Sequence, residues 1–179
     1  MEEEYLDIVD ENNNPTGEVK PRSEVHSNGY WHRTVHVYFI QKSKNGFDFL
    51  IHLRSKNKDL SPNKWDTRFG GHIKSGKTVA EAVAEEIKEE LDLDVKFNDL
   101  IKGFIKKRSN YPNNEFYNIF FYKFNKDLSI LKFKDNEVQE VKWISDSEIL
   151  DQLEKNPDNW STGLNSFKEV VDYLKLNIQ

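Results

Sequence analysis

The stretch from Gly71 to Leu93, GHIKSGKTVAEAVAEEIKEELDL, limits what this chain can become more than any other, because a glycine turn runs straight into a helix crowded with carboxylates. Thr78 stands as an N-cap with Glu81 three residues on, the spacing of a capping box. Val79, Val83, Ala84, Ile87 and Leu91 recur at helical spacing and predict one apolar stripe. Glu86 and Glu90 lie four residues apart with Glu89 beside them, so one turn of helix directs three acids toward a common point next to flexible backbone. Like charges at that spacing repel by roughly a few tenths of a kcal/mol per pair. A divalent cation turns the repulsion into ligation, and Mg²⁺ suits a sparse carboxylate set completed by water and phosphate oxygens. The same acids on an isolated helix would read as a solvated face; Gly70 and Gly71 just before them favour ligation.

The other segments predict a sheet for this helix to cover. Tyr5 to Val9 and a short strand around Glu18 and Val19 read as a hairpin across ENNNPTG, and Pro21 to Val25 as a helical turn. Trp31 to Ile40 has the aromatic and β-branched content of a central strand, with Phe47 to Leu53 as its partner across SKNG. Val95 to Lys107 and Glu115 to Phe124, joined by SNYPNN, and Val138 to Ile144 supply further strands. Two helices, at about 145–155 and 160–176, close the chain. The expected class is α/β (α+β): a mixed central sheet in an α/β/α sandwich. With 12 Phe, 7 Tyr and 4 Trp, 179 residues can bury one core, so a single domain over 1–179 is expected.

The absence of cysteine removes disulfides, thiolate metal sites and a cysteine nucleophile. No run approaches the roughly 18 apolar residues of a membrane span, and MEEEYLDIVD lacks a signal-peptide pattern, so a cytoplasmic protein without a membrane partner is expected. A net charge of −5 argues against a nucleic-acid polymer as partner but not against a nucleotide. A homodimer is compatible with this reading.

In sequence the helix resembles the Nudix box: Gly, five residues, Glu, seven residues, Arg-Glu, apolar, any, Glu-Glu, any, Gly, apolar. Gly71, Glu86, Ile87, Glu89, Glu90 and Leu93 match it, while Lys77, Glu85 and Asp92 replace the loop Glu, the helix Arg and the closing Gly. The resemblance implies a Nudix fold and a Mg²⁺-dependent hydrolase, with Mn²⁺ as an alternative ion. Glu86, Glu89 and Glu90 would be the metal-binding and catalytic carboxylates, and Gly70 and Gly71 part of the substrate loop. The opposite signs of Lys77 and Glu85 suggest a swapped ion pair pinning that loop to the helix.

To about Trp143 the chain looks like the Nudix branch that holds type 1 isopentenyl-diphosphate isomerase and its hydrolase relatives. His26, His32, His72 and Glu115 stand where the isomerase has metal ligands, with Asn113 in place of a further Glu. They form a candidate second site. Arg54 and Lys58 match the isomerase residues that grip the diphosphate. His36 and His52 read as packed histidines, and Trp31 and Trp65 as core or pocket wall. The isomerase Cys falls on Gly70, so allyl isomerisation lacks its acid/base residue, whereas the hydrolase Glu set is complete. The implied reaction is hydrolysis of a diphosphate linkage in a small nucleoside diphosphate derivative or related compound. The alternatives are an isomerase-like enzyme and a catalytically weakened module that binds a nucleotide diphosphate.

Overall fold

A computed structural model describes residues 3–58, 60–133 and 137–178. Among the described residues eight strands are formed: β1 (Tyr5–Val9), β2 (Pro15–Pro21), β3 (His32–Ser43), β4 (Gly46–Arg54), β5 (Trp65–Asp66), β6 (Leu100–Asn110), β7 (Asn113–Lys123) and β8 (Val138–Ser145). Four helices accompany them: α1 (Arg22–Asn28), α2 (Val79–Leu91), α3 (Asp146–Lys155) and α4 (Leu164–Asn177). β1 and β2 make a separate hairpin. The main sheet runs β5-β4-β3-β7-β6, with β8 also on β4. β3 runs parallel to β7, and the β3–β4 and β6–β7 pairs are antiparallel, so the sheet is mixed.

β3 is buried on both faces, and its alternation divides the core in two. Val35, Val37 and Phe39 pack toward Val83, Ile87 and Leu91 of α2. Tyr38 and Ile40 point the other way, toward Ile149 of α3 and Phe167, Val170 and Leu174 of α4. The expected α/β/α sandwich is the observed one.

Two boundaries and one helix face differ from expectation for local reasons. α4 starts at Leu164 rather than near residue 160, because Pro157–Asn159 forms a 3₁₀ turn and Ser161 N–H donates to the Trp65 carbonyl at 2.9 Å. β6 starts at Leu100, after a 3₁₀ turn at Phe97–Asp99. On α2 the buried alanine is Ala82 rather than Ala84, and the inward face includes Glu90. A carboxylate at a core-facing position calls for a local partner.

β4 pairs with β3 only near their hairpin, at Ile40–Phe49 and beyond toward the turn. In the space this leaves, residues 69–73 run alongside β3: Val37 N–H donates to Phe69 O at 2.8 Å, Val35 N–H to Gly71 O at 2.9 Å, and Ile73 N–H to Arg33 O at 3.0 Å. The glycine loop is thereby fixed to the central strand before it reaches α2.

Candidate functional site

α2 begins with the expected capping box: Glu81 N–H donates to Thr78 Oγ1 at 3.2 Å and Thr78 N–H to Glu81 Oε2 at 2.8 Å. It ends at Asp92 with φ 51°, a left-handed conformation that Asp adopts more readily than most residues. The box position that usually holds Gly therefore keeps its backbone role here.

Glu90 is buried, and its Oε2 accepts the Gly70 N–H at 2.8 Å. Burial, reinforced by neighbouring Glu86, holds its carboxyl well above the usual range, with Lys58 and the Gly70 amide opposing. Glu86 packs on the bare Cα of Gly71, where an added Cβ would lie 2.6 Å from its Oε2. Burial and then the charge of Glu89 push the Glu86 carboxyl up to about 8. Glu89 is the exposed member, 3.6 Å from Lys74 Nζ. The glycines thus have distinct tasks: Gly71 makes room for a carboxylate, whereas Gly70 has φ +130° and an added Cβ would fall 2.1 Å from the Val35 carbonyl.

Glu137, whose carbonyl accepts the Ser55 N–H at 2.8 Å, adds its negative field to both Glu86 and Glu90 and pairs with Lys58. No spacing in the sequence ties it to the helix. Arg54 is anchored rather than loose: it donates to Leu60 O at 2.8 Å, to Ser61 O at 3.2 Å and to Asp66 Oδ2 at 3.3 Å. The Lys77–Glu85 pair is present at 4.0 Å, but Lys74, not singled out by the sequence, lies nearer to Glu85 at 3.4 Å. The set offers hard oxygen donors, two of which resist ionisation until positive charge is added. Such a set fits Mg²⁺.

The histidines gather on the other side of residues 69–73. His26 Nε2 lies 3.4 Å from His32 Nε2 and 3.1 Å from His72 Nε2, and His32 Nε2 lies 3.6 Å from Glu115 Oε1. Register places the last pair, since His32 and Glu115 are direct partners across β3 and β7. The far atoms are tied back: His32 Nδ1 to Tyr30 O at 3.0 Å, His72 Nδ1 to Glu4 Oε2 at 3.3 Å, and Glu115 Oε2 to Tyr117 Oη at 3.0 Å and Arg108 Nη1 at 3.3 Å. Burial opposes ionisation of Glu115, but His32, His36 and the Tyr117 hydroxyl together bring the carboxyl down to about 2. Burial, then His72 and His32, lowers His26 to about 4. Fixed imidazole rings with converging nitrogens suit a divalent ion. Asn113 begins β7, and its neighbour Asn114 donates to Gly29 O at 2.9 Å.

The remaining residues follow the packed readings. His36 is buried against Tyr117 at 4.1 Å between ring centroids and His52 against Phe69 at 4.6 Å, while Lys107 covers the face of Trp31 and Lys142 that of Trp65. Among the described residues no helix is long and apolar enough to cross a membrane.

Residues 30–163 match the family model described as the NUDIX domain. An uncharacterized Nudix hydrolase of Clostridium acetobutylicum is 36% identical over 168 residues, covering 92% of this chain and 79% of that protein. An isopentenyl-diphosphate Delta-isomerase of Aliivibrio fischeri is 26% identical over 179 residues, covering 96% of this chain and 97% of the isomerase. In fold, the crystal structure of DR0079 from Deinococcus radiodurans superposes with a TM-score of 0.70 at 22% identity, covering 94% of this chain and 98% of that one.

Proposed function

This chain belongs to the Nudix hydrolase family, and from that premise we propose that it hydrolyses a phosphoanhydride in a small nucleoside diphosphate derivative or a related diphosphate, using Mg²⁺. The carrying observation is the pair formed by half-buried Glu86 and buried Glu90 of α2 against the glycine loop, two carboxylates that burial and then neighbouring acids hold above their ordinary pKa. Glu86, Glu89 and Glu90 would hold the ion. When bound, Mg²⁺ neutralises the diphosphate and lowers the pKa of water in its coordination sphere.

The residues of the chain supply the rest. Lys58 faces the acids and Arg54 is held in place by two carbonyls and Asp66, so both stand ready as cations for phosphate oxygens. A carboxylate of the set takes the proton of the attacking water as its oxygen bonds to phosphorus and the bridging P–O bond breaks. The Gly70 amide fixes the Glu90 carboxylate during this step. Gly70 also disfavours isomerase chemistry. Its backbone disfavours any side chain, since a Cβ would meet Val35 O, so this position is a poor place for a cysteine.

The second site is proposed on the same terms: His26, His32, His72 and Glu115 would bind a divalent ion by imidazole nitrogens, supported by the tethering of their far atoms.

A Mg²⁺-dependent hydrolysis screen over nucleoside di- and triphosphates, sugar nucleotides, dinucleotides and isoprenoid diphosphates tests the reading. Release of a phosphorylated product is expected, with Glu89→Gln and Glu90→Gln each lowering turnover by about 100-fold or more, the scale of losing a charge contact in the transition state. Near wild-type turnover of both variants at saturating Mg²⁺ would remove these residues from the site. Proton exchange into isopentenyl diphosphate without hydrolysis would favour the isomerase instead.

A further inference from the structure

We infer that Glu4, the residue just before β1, is a positioning residue for the histidine metal site; the inference rests on the proposed reading of that site. Glu4 Oε2 lies 3.3 Å from His72 Nδ1, while His72 Nε2 lies 3.1 Å from His26 Nε2. One ring nitrogen therefore faces a carboxylate and the other faces the point where the imidazoles converge. A neutral imidazole carries one proton, and a carboxylate at Nδ1 places it there. Nε2 is left with its lone pair toward the cluster, the form a metal requires.

Glu4 is itself held in place. Its carbonyl accepts the Arg22 N–H at 2.7 Å and its carboxylate lies 3.5 Å from Arg22 Nε. Two further ties join the same edge to the loop: Ser75 N–H donates to Tyr5 O at 2.7 Å, and Leu6 bridges to Lys74. Arg22 holds the carboxylate where it faces His72. Glu4 also acts electrostatically on Glu86, and so it lies within reach of both proposed sites. The segment leading into the β1–β2 hairpin, remote in sequence from the box, would then be part of the metal centre.

Co²⁺ titration of the full chain in excess Mg²⁺ tests this, because Mg²⁺ prefers the oxygen donors and Co²⁺ the imidazoles, and the visible spectrum of Co²⁺ reports its ligands. Wild type should give a Co²⁺ spectrum that His32→Ala lacks. Glu4→Ala should weaken Co²⁺ binding about 10- to 100-fold, the usual range for loss of an outer partner, with an altered spectrum and an unchanged melting temperature in metal-free buffer. Glu4→Gln, which keeps an acceptor oxygen but no charge, should fall between Glu4→Ala and wild type. Wild-type Co²⁺ affinity and spectrum in Glu4→Ala would overturn the inference while leaving the histidine site standing. Identical titrations of wild type and His32→Ala would overturn both.

Discussion

At the residue scale the polar groups without compensation are the informative ones. His52 is buried on β4 with neither ring nitrogen hydrogen-bonded to a described residue, and burial lowers its pKa to about 4 despite the opposing pull of Asp66. Its folded pKa lies below the ordinary 6.5, so the unfolded chain takes up the proton first as the medium is acidified. The stability it contributes is complete above pH 6.5 and is lost as the pH falls through about 4. Thermal melts of His52→Leu should therefore fall less steeply than wild type across that window. Parallel melting curves would show that His52 does not carry this acid sensitivity. Glu90 poses the opposite problem, a buried acid whose ionisation is unfavourable, and it meets that problem with one backbone amide.

At the scale of elements, the glycine loop is a strand on one edge and a socket on the other. Its two glycines should respond differently to the same substitution. Gly71→Ala sets a methyl against the flexible end of Glu86, so the carboxylate moves and activity should drop by about 10-fold or more with little change in melting temperature, as for a misplaced catalytic group. Gly70→Ala meets the Val35 backbone at a φ that L side chains rarely adopt, so it should cost stability on the order of 1–3 kcal/mol. Paired denaturation and rate measurements check both, and equal stability losses in the two variants would contradict the division of tasks. Within α2, the capping box was legible because its interaction is local, residue i to i+3. The inward turn of Glu90 was not, because the amide that receives it is twenty positions away at Gly70.

For the molecule as a whole, the layers place the Glu helix and the histidine cluster on either side of one strand-like segment, residues 69–73, held by β3. If the carboxylates bind Mg²⁺ only when folded, the ion at about 100 times its Kd should stabilise wild type by about 2.7 kcal/mol. Glu90→Gln should lose most of that increment while its metal-free melting temperature stays level or rises, since a raised carboxyl pKa means that charge costs folding. Calorimetric scans with and without Mg²⁺ check this, and an undiminished shift in the variant would place the ion elsewhere. The sequence alone determined the sandwich, the capped acidic helix and the missing cysteine chemistry, because periodicity, spacing and composition are properties of neighbours along the chain. Only the tertiary structure brought Glu137 toward the carboxylates, Lys74 to Glu85, Glu4 to His72 and Arg54 onto its carbonyls. Those contacts join residues from separate elements. Strand register and burial set them, and neither is written in any local stretch of the sequence.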